Sequence, residues 1–271
     1  MKKLILLVIS LIFLAACTGI HFGDPNDRAQ GSGNVITQSR PVGHFERVYL
    51  SGIGDLVLNQ GDQESLSIEA EDNVLEAIQT KVVFGTLYIS ISFENVEPAR
   101  PVKYYLTVTK LTGLHVTGST HVEVGDIETD SLDIKANLAG SVNLGSVQAN
   151  SLKIMMLEAG SCKFGSVQVN NLEVLLGAGG QCKVNEGQVV HQSIKVSGGA
   201  SYDASNLESA TADVKVDGGG VAVIWVVESL NASLHGDGVL KYYGDPISTQ
   251  HTRDNSVIQR LGPHSSTSGT Q

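Results

Sequence analysis

Two aspartates have the types and spacing for chemistry. When the sequence is written in rows of twenty from Leu111, Asp217 and Asp237 fall in one column, beside the turns DGGG (217–220) and HGDG (235–238). Carboxylates stacked about 5 Å apart repel unless one is protonated or a cation bridges them. That is the equipment of an acid pair or a weak Ca²⁺ site on an enzyme acting on polysaccharides. The same residues fit solvated turn aspartates at glycine-rich corners. Asp203 and Asp213 fall in other columns. His115 and His235 share a column six rows apart, about 29 Å, too far to act together. His191 is a position for single-histidine acyl transfer. HExxH, GxSxG, P-loop and dinucleotide-binding patterns are absent from the sequence. The expectation is a protein with no catalytic residues and no cofactor.

The three cysteines divide by context. Met1-Lys2-Lys3 is a positive n-region, and Leu4 to Leu14 is an apolar stretch too short for a comfortable membrane span. It ends Leu14-Ala15-Ala16-Cys17, which looks like a lipobox: small residues before a cysteine that receives lipid and becomes the first residue of the mature chain. Acyl chains would supply roughly 0.8 kcal/mol of membrane affinity per buried methylene. With Thr18 after the cysteine, the segment resembles lipoproteins that lack the inner-membrane Asp signal, and that resemblance implies an outer-membrane lipoprotein, facing the periplasm or the surface. Residues 1–16 then read as a signal peptide and 17–32 as a lipidated tether. Cys162 and Cys182 stack in adjacent rows. Neighbouring positions on parallel strands seldom meet disulfide geometry, so they read first as inward, free thiols, with a disulfide formed after export as the alternative.

Charge narrows the partners. The 271 residues carry 28 acids against 18 bases, a net charge of −10 that becomes −12 once Lys2 and Lys3 leave with the leader. Phosphate binding needs a basic footprint, so nucleic acid is excluded as the main partner. Thirty glycines against six prolines suggest repeated tight turns rather than a linker.

The elements that position these residues come from the repeat. One column reads Leu114, Ile134, Ile154, Val174, Ile194, Val214, Leu234; another reads Val122, Val142, Cys162, Cys182, Tyr202, Ala222, Tyr242. Small residues fill a third, including Ser119, Ala159, Gly179, Gly199 and Gly219. Gln148, Gln168 and Gln188 align, as do Asn150 and Asn170. No insertion is needed across the rows. This predicts an all-β solenoid, a β-helix of 20-residue coils over 111–246, with parallel strands stacking at roughly 4.8 Å and seven coils spanning about 34 Å. A four-sided pentapeptide helix is an alternative with a weaker Asn137/Ala139 side. Residues 33–110 are strand-like but irregular, with Asp72–Val82 as a short helix or loop, and should form first coils and a cap over open edge strands. Residues 247–271 read as a C-terminal tail.

By column, Met155, Leu175, Val221, Val223 and Trp225 point outward. Either the cap or the chain's C-terminal part covers them, or they form an interaction surface anchored by Trp225.

GSGNV (31–35), FERVYLSGIGDLVLNQGDQESLSIEAEDNVLEAI (45–78) and GTLYIS (85–90) resemble the GIN-domain family of adhesin head domains across roughly 31–245. Ile53 stands where that family usually has a second small residue. The resemblance implies a right-handed β-helix and brings no catalytic residues. The expected role is a lipid-anchored envelope protein, held to the membrane through Cys17, that binds a glycan or protein partner by shape and avidity. The rival is the polysaccharide-active enzyme with Asp217 and Asp237.

Overall fold

Inward and outward side chains alternate along every long strand of the computed structural model. The structure describes residues 29–91, 96–137 and 140–264. The N-terminal part contains β1 (Ala29–Gln30), β2 (Val35–Arg40), β3 (Arg47–Gln60), β4 (Ser65–Glu71), α1 (Asp72–Leu75), β5 (Ile78–Val83), β6 (Thr86–Ile91), β7 (Val96–Glu97) and β8 (Lys103–Val108). There follow β9 (Gly113–Val124), β10 (Ile127–Glu128), β11 (Ser131–Asn137), β12 (Ser141–Met156), β13 (Ser161–Leu176), β14 (Gln181–Ser197), β15 (Ser201–Asp217) and β16 (Val221–His235). The chain closes with β17 (Val239–Tyr243), β18 (Ile247–Thr252) and β19 (Val257–Gly262).

From β9 to β15 every rung pairs in parallel with the residue twenty places on: Leu114 with Ile134, Ile134 with Ile154, Ile154 with Val174, Val174 with Ile194. The result is a β-solenoid of about seven turns. The aliphatic columns are its core, and Ile154, Val174, Phe164 and Tyr202 have no exposed surface. One turn cannot bury its apolar face alone, so each turn completes its neighbour's core.

The twenty-residue spacing fails after β15. Ser201–Ala204 still face Val221–Ile224, but Glu208 then faces Trp225, and Thr211 onward faces residues eighteen places ahead. The shorter repeat persists to the end, with Val221 beside Val239 and Ser229 beside Ile247. The expectation of an uninterrupted repeat is therefore corrected. Val214 neighbours Ala232 and not Leu234; Asp217 neighbours His235 and not Asp237. His235 also leaves the column of His115, which continues through Lys135. A net shift of two residues leaves inside and outside unchanged, so its trace in the sequence is confined to Gly236 and Gly244, which interrupt apolar columns at a spacing of twenty where Leu234 and Tyr242 continue them at eighteen.

Both ends differ from a simple stack. Residues 47–58 of β3 pair in parallel with residues 113–124 of β9, and the other edge of β3 pairs with β6 and β8. The chain thus starts one level inside, builds the end, and crosses back. β5 lies antiparallel to β6, β4 to β8, and β2 to β4, which closes the edge that the first rung would expose. The sequence reading ended the coils at 246, whereas β18 and β19 add a further level on β16 and β17.

Cys162 and Cys182 are joined by a disulfide, with Cα atoms 4.6 Å apart. This corrects the reading of free thiols: both side chains point inward from directly opposed rungs, a separation within the range that disulfides span.

Two glycines separate conformational strain from collision. At Gly179 (φ +87°) a Cβ would meet nothing within 4 Å; at Gly187 (φ +137°) it would sit 1.9 Å from the Val167 carbonyl oxygen. Gly179→Ala should cost about 1–2 kcal/mol in urea unfolding, and Gly187→Ala distinctly more, because adjacent rungs must part. Peptide mapping without reductant should recover residues 162 and 182 in one cross-linked fragment, and Cys162→Ala/Cys182→Ala should lose about 2–4 kcal/mol.

Candidate functional site

The aspartate pair of the sequence does not form. Asp217 lies 3.5 Å from His235 Nδ1 and 3.4 Å from Lys215 Nζ, while Asp237 accepts a hydrogen bond from Asn255 Nδ2 at 3.1 Å. Each carboxylate has its own partner. Among the described residues no group of three or more His, Cys, Asp or Glu side chains gathers to hold a metal.

The outward apolar residues fall on two faces. Met155 and Leu175 are neighbours on β12 and β13, half-buried in the column that also holds Lys135 and Lys195. Val221, Val223 and Trp225 follow one another along the outer side of β16. Trp225 is covered: the His264 ring stacks on it at 4.0 Å with a 7° interplanar angle, and Tyr243 meets His264 edge-on. Cys17 lies outside the described residues.

Three polar constructions were not singled out from the sequence. The first is an aromatic ridge. Parallel pairing sets Tyr88 of β6, Tyr49 of β3 and His115 of β9 side by side on the outer face. The tyrosine rings are 5.5 Å apart, and His115 meets Tyr49 edge-on at 4.8 Å. A cleft of about 440 Å³ opens on one side of the ridge, bordered by Arg47, Thr86, His115, Asp133 and Lys135. A second, of about 280 Å³, opens on the other, bordered by Ser51, Gln79, Lys81 and Ser90. Tyr49 and Tyr88 line both. Arg47 donates to Thr86 Oγ1 at 3.1 Å and to the Phe84 carbonyl at 2.8 Å. Asp133 pairs with Lys135 at 3.0 Å. His115 Nε2 and Asp133 Oδ1 are buried without a hydrogen-bond partner. Burial lowers the His115 pKa, the Lys135 charge lowers it further, and Asp133 opposes them.

The second is a row on β9 and β12. Ser141 Oγ is hydrogen-bonded to His121 Nδ1, His121 Nε2 lies 2.7 Å from Glu123, and Asn143 donates to Glu123 at 2.8 Å. Hydroxyl, imidazole and carboxylate stand in line beside a groove of about 520 Å³ over Gly140 and Gly160. His121 and Glu123 are about half exposed.

The third is a clamp on the entering chain. The Glu71 carboxylate, 1% exposed, accepts the backbone N–H groups of Gly33 (2.7 Å), Ala99 (2.8 Å) and Arg100 (3.2 Å). A Cβ at position 31 would lie 2.1 Å from that carboxylate, so any larger residue there must push Glu71 off its three amides. Asp72 receives the Ser32 hydroxyl and the Asn34 amide, and Asn73 bonds the Ser32 N–H and the Gln30 carbonyl. Burial pushes the Glu71 pKa up, but the three amides and the Arg100 charge outweigh it and hold it below the usual range. Hydrogen bonds from Ser32, Asn34 and the Asn73 amide lower Asp72.

Residues 44–246 match the family model described as "Putative auto-transporter adhesin, head GIN domain". Several solved structures share the fold. A protein from Parabacteroides distasonis named a putative lipid binding protein is 23% identical, covering 86% of this chain and 99% of its own, with a TM-score of 0.82. A putative adhesin from the same organism is 20% identical over 87% of this chain and 100% of its own, TM-score 0.80. A putative adhesin from Bacteroides fragilis is 25% identical over 86% and 99%, TM-score 0.65. No curated protein matches the chain.

The clamp gives a signed pH dependence. Folded-state pKa values of Glu71 and Asp72 lie below their unfolded values of about 4.3 and 3.9. Their contribution is complete above those values and is lost as pH falls through the folded ones. Hydrogen exchange at residues 30–34, corrected for intrinsic rates, should accelerate below about pH 4 before exchange in β12–β14 does. Glu71→Ala should produce the same release at neutral pH.

Proposed function

The chain belongs to the GIN-domain family of auto-transporter adhesin head domains, and on that footing we propose that it is a lipid-anchored envelope protein that binds its partner in an adhesion-like, non-catalytic way. The observation that carries this reading is the rigid outer surface. Polar side chains recur there at rung spacing, as in Gln148, Gln168 and Gln188, with Asn170 donating to Asn150 at 2.8 Å. A regular array of weak polar contacts suits a repetitive or extended partner, a glycan or a protein, through avidity. The adhesin names of two similar structures support the same direction.

Acylation at Cys17 would fix the chain to the outer membrane. The contour from Cys17 to Ala29 could span at most about 40 Å, and the clamp sets where the chain joins the solenoid. The net charge of −10 argues against nucleic acid as partner. The Ser141–His121–Glu123 row lacks what acyl transfer needs at the other end of the reaction. Ser141 and Val142 are paired with rungs on both sides, so their amides serve the ladder and not an oxyanion.

Digestion of the domain by protease on intact cells, with weaker adhesion by cells lacking the protein, is the expected result. Protection until lysis, or equal adhesion, would sink the adhesive role. Labelled palmitate should enter the wild-type chain and not Cys17→Ser.

A further inference from the structure

We propose that the Tyr49–Tyr88 ridge and its two clefts bind a carboxylate-bearing glycan, with sugar rings stacked on the tyrosines and an acidic group at Arg47 and Lys135. The proposal rests on the binding role above and assigns it a place and a ligand class.

The ring faces supply the first argument. A pyranose has a face of C–H groups with partial positive charge, which complements the negative face of an aromatic ring. Tyr49 and Tyr88 stand on adjacent rungs with centroids 5.5 Å apart and have a depression on each side. Clefts of about 440 and 280 Å³ are of the order that small-molecule sites occupy. Successive sugars can therefore lie along the ridge with their hydroxyls over Ser51, Gln79 and Ser90 on one side and Thr86 on the other.

Charge supplies the second. In a chain of net charge −10, the borders of these clefts carry Arg47, Lys81 and Lys135 against the single carboxylate of Asp133. Arg47 is already oriented by Thr86 and the Phe84 carbonyl, which use two of its five donors. Lys81 Nζ stands over the Tyr88 ring, 5.8 Å from its centre, and a sugar that takes this face displaces it to the rim, where it meets a charge on the second sugar.

Unmet hydrogen bonding supplies the third. His115 Nε2 and Asp133 Oδ1 are both buried and unpartnered, and their residues line the larger cleft. Native structures rarely leave such atoms unpaired without a reason. Ligand hydroxyls entering the cleft give both a partner after a small side-chain movement.

The test is calorimetric titration of the full chain in detergent with an oligogalacturonate and with its methyl-esterified, uncharged counterpart. The charged sugar should bind, and esterification should weaken binding at least tenfold. Tyr49→Ala/Tyr88→Ala should also lose at least tenfold with the circular dichroism of the solenoid unchanged. Tyr49→Phe/Tyr88→Phe keeps both rings and should retain affinity, which separates stacking from a folding defect. Lys135→Met should weaken the charged sugar and leave the ester unaffected. No binding of the charged sugar, equal binding of both sugars, or full affinity in the double alanine variant overturns the proposal. Adhesion of cells is a separate readout: if cells with and without the protein adhere equally while the sugar still binds, the adhesive role fails and this site stands. If adhesion persists without sugar binding, the adhesive surface lies elsewhere.

Discussion

Each turn of this solenoid lies directly on the next, so every side chain must be compatible with the one at the same place in the turns before and after it. That constraint selects the residues. Inside, like sits on like, and aliphatic columns interlock at the strand spacing. Outside, like on like would stack charges; two columns avoid it in different ways, and Lys215, which does stack on Lys195, is paired with Asp217 at 3.4 Å. Neutral amides repeat at Gln148, Gln168 and Gln188, and charges alternate where Lys153 holds Glu173 through two contacts of 2.9 Å. Where Lys163 does stack on Lys183, the next residue in the column is Asp203, 3.5 Å from Lys183. Backbone shape makes its own demand: within β14 the positive φ of Gly187 would aim a Cβ at the Val167 carbonyl oxygen of the turn before, whereas at the corner Gly179 needs its positive φ and not the space.

The fold is legible in the sequence because the constraint writes the same demand every twenty residues. Its failures have physical reasons. The last turns are shortened by two residues, and a shift of two keeps the apolar side chains facing inward, so only Gly236 and Gly244, breaking apolar columns in the last row, betray it. The misplaced pairing of Asp217 with Asp237 followed directly from that shift. The adjacency of the two cysteines was legible in the rows, but whether they bond was not, because inward cysteines also read as small apolar residues and only the 4.6 Å between their Cα atoms decides it.

The aromatic ridge was invisible for a different reason. Tyr49, Tyr88 and His115 are adjacent because the chain inserts its end between one level and the next, so their separations in sequence obey no period. The clamp was half visible. GSGNV and the segment containing Glu71, Asp72 and Asn73 both contribute to the family resemblance, but only the fold shows that one half grips the other. Local motifs, in short, were readable where stacking repeats them and obscure where the crossover assembles them.

That crossover also orders events in time. In the regular turns each rung touches neighbours about twenty residues away, so those turns can nucleate anywhere and spread. The Arg47 rung instead waits for Gly113, and its other edge needs β6 and β8. A chain emerging from its N-terminus therefore exposes β3 first and completes it only after residue 124 has appeared. Non-local closure of this kind is slow, so the terminus that emerges earliest finishes late, and until then its edges stay unpaired.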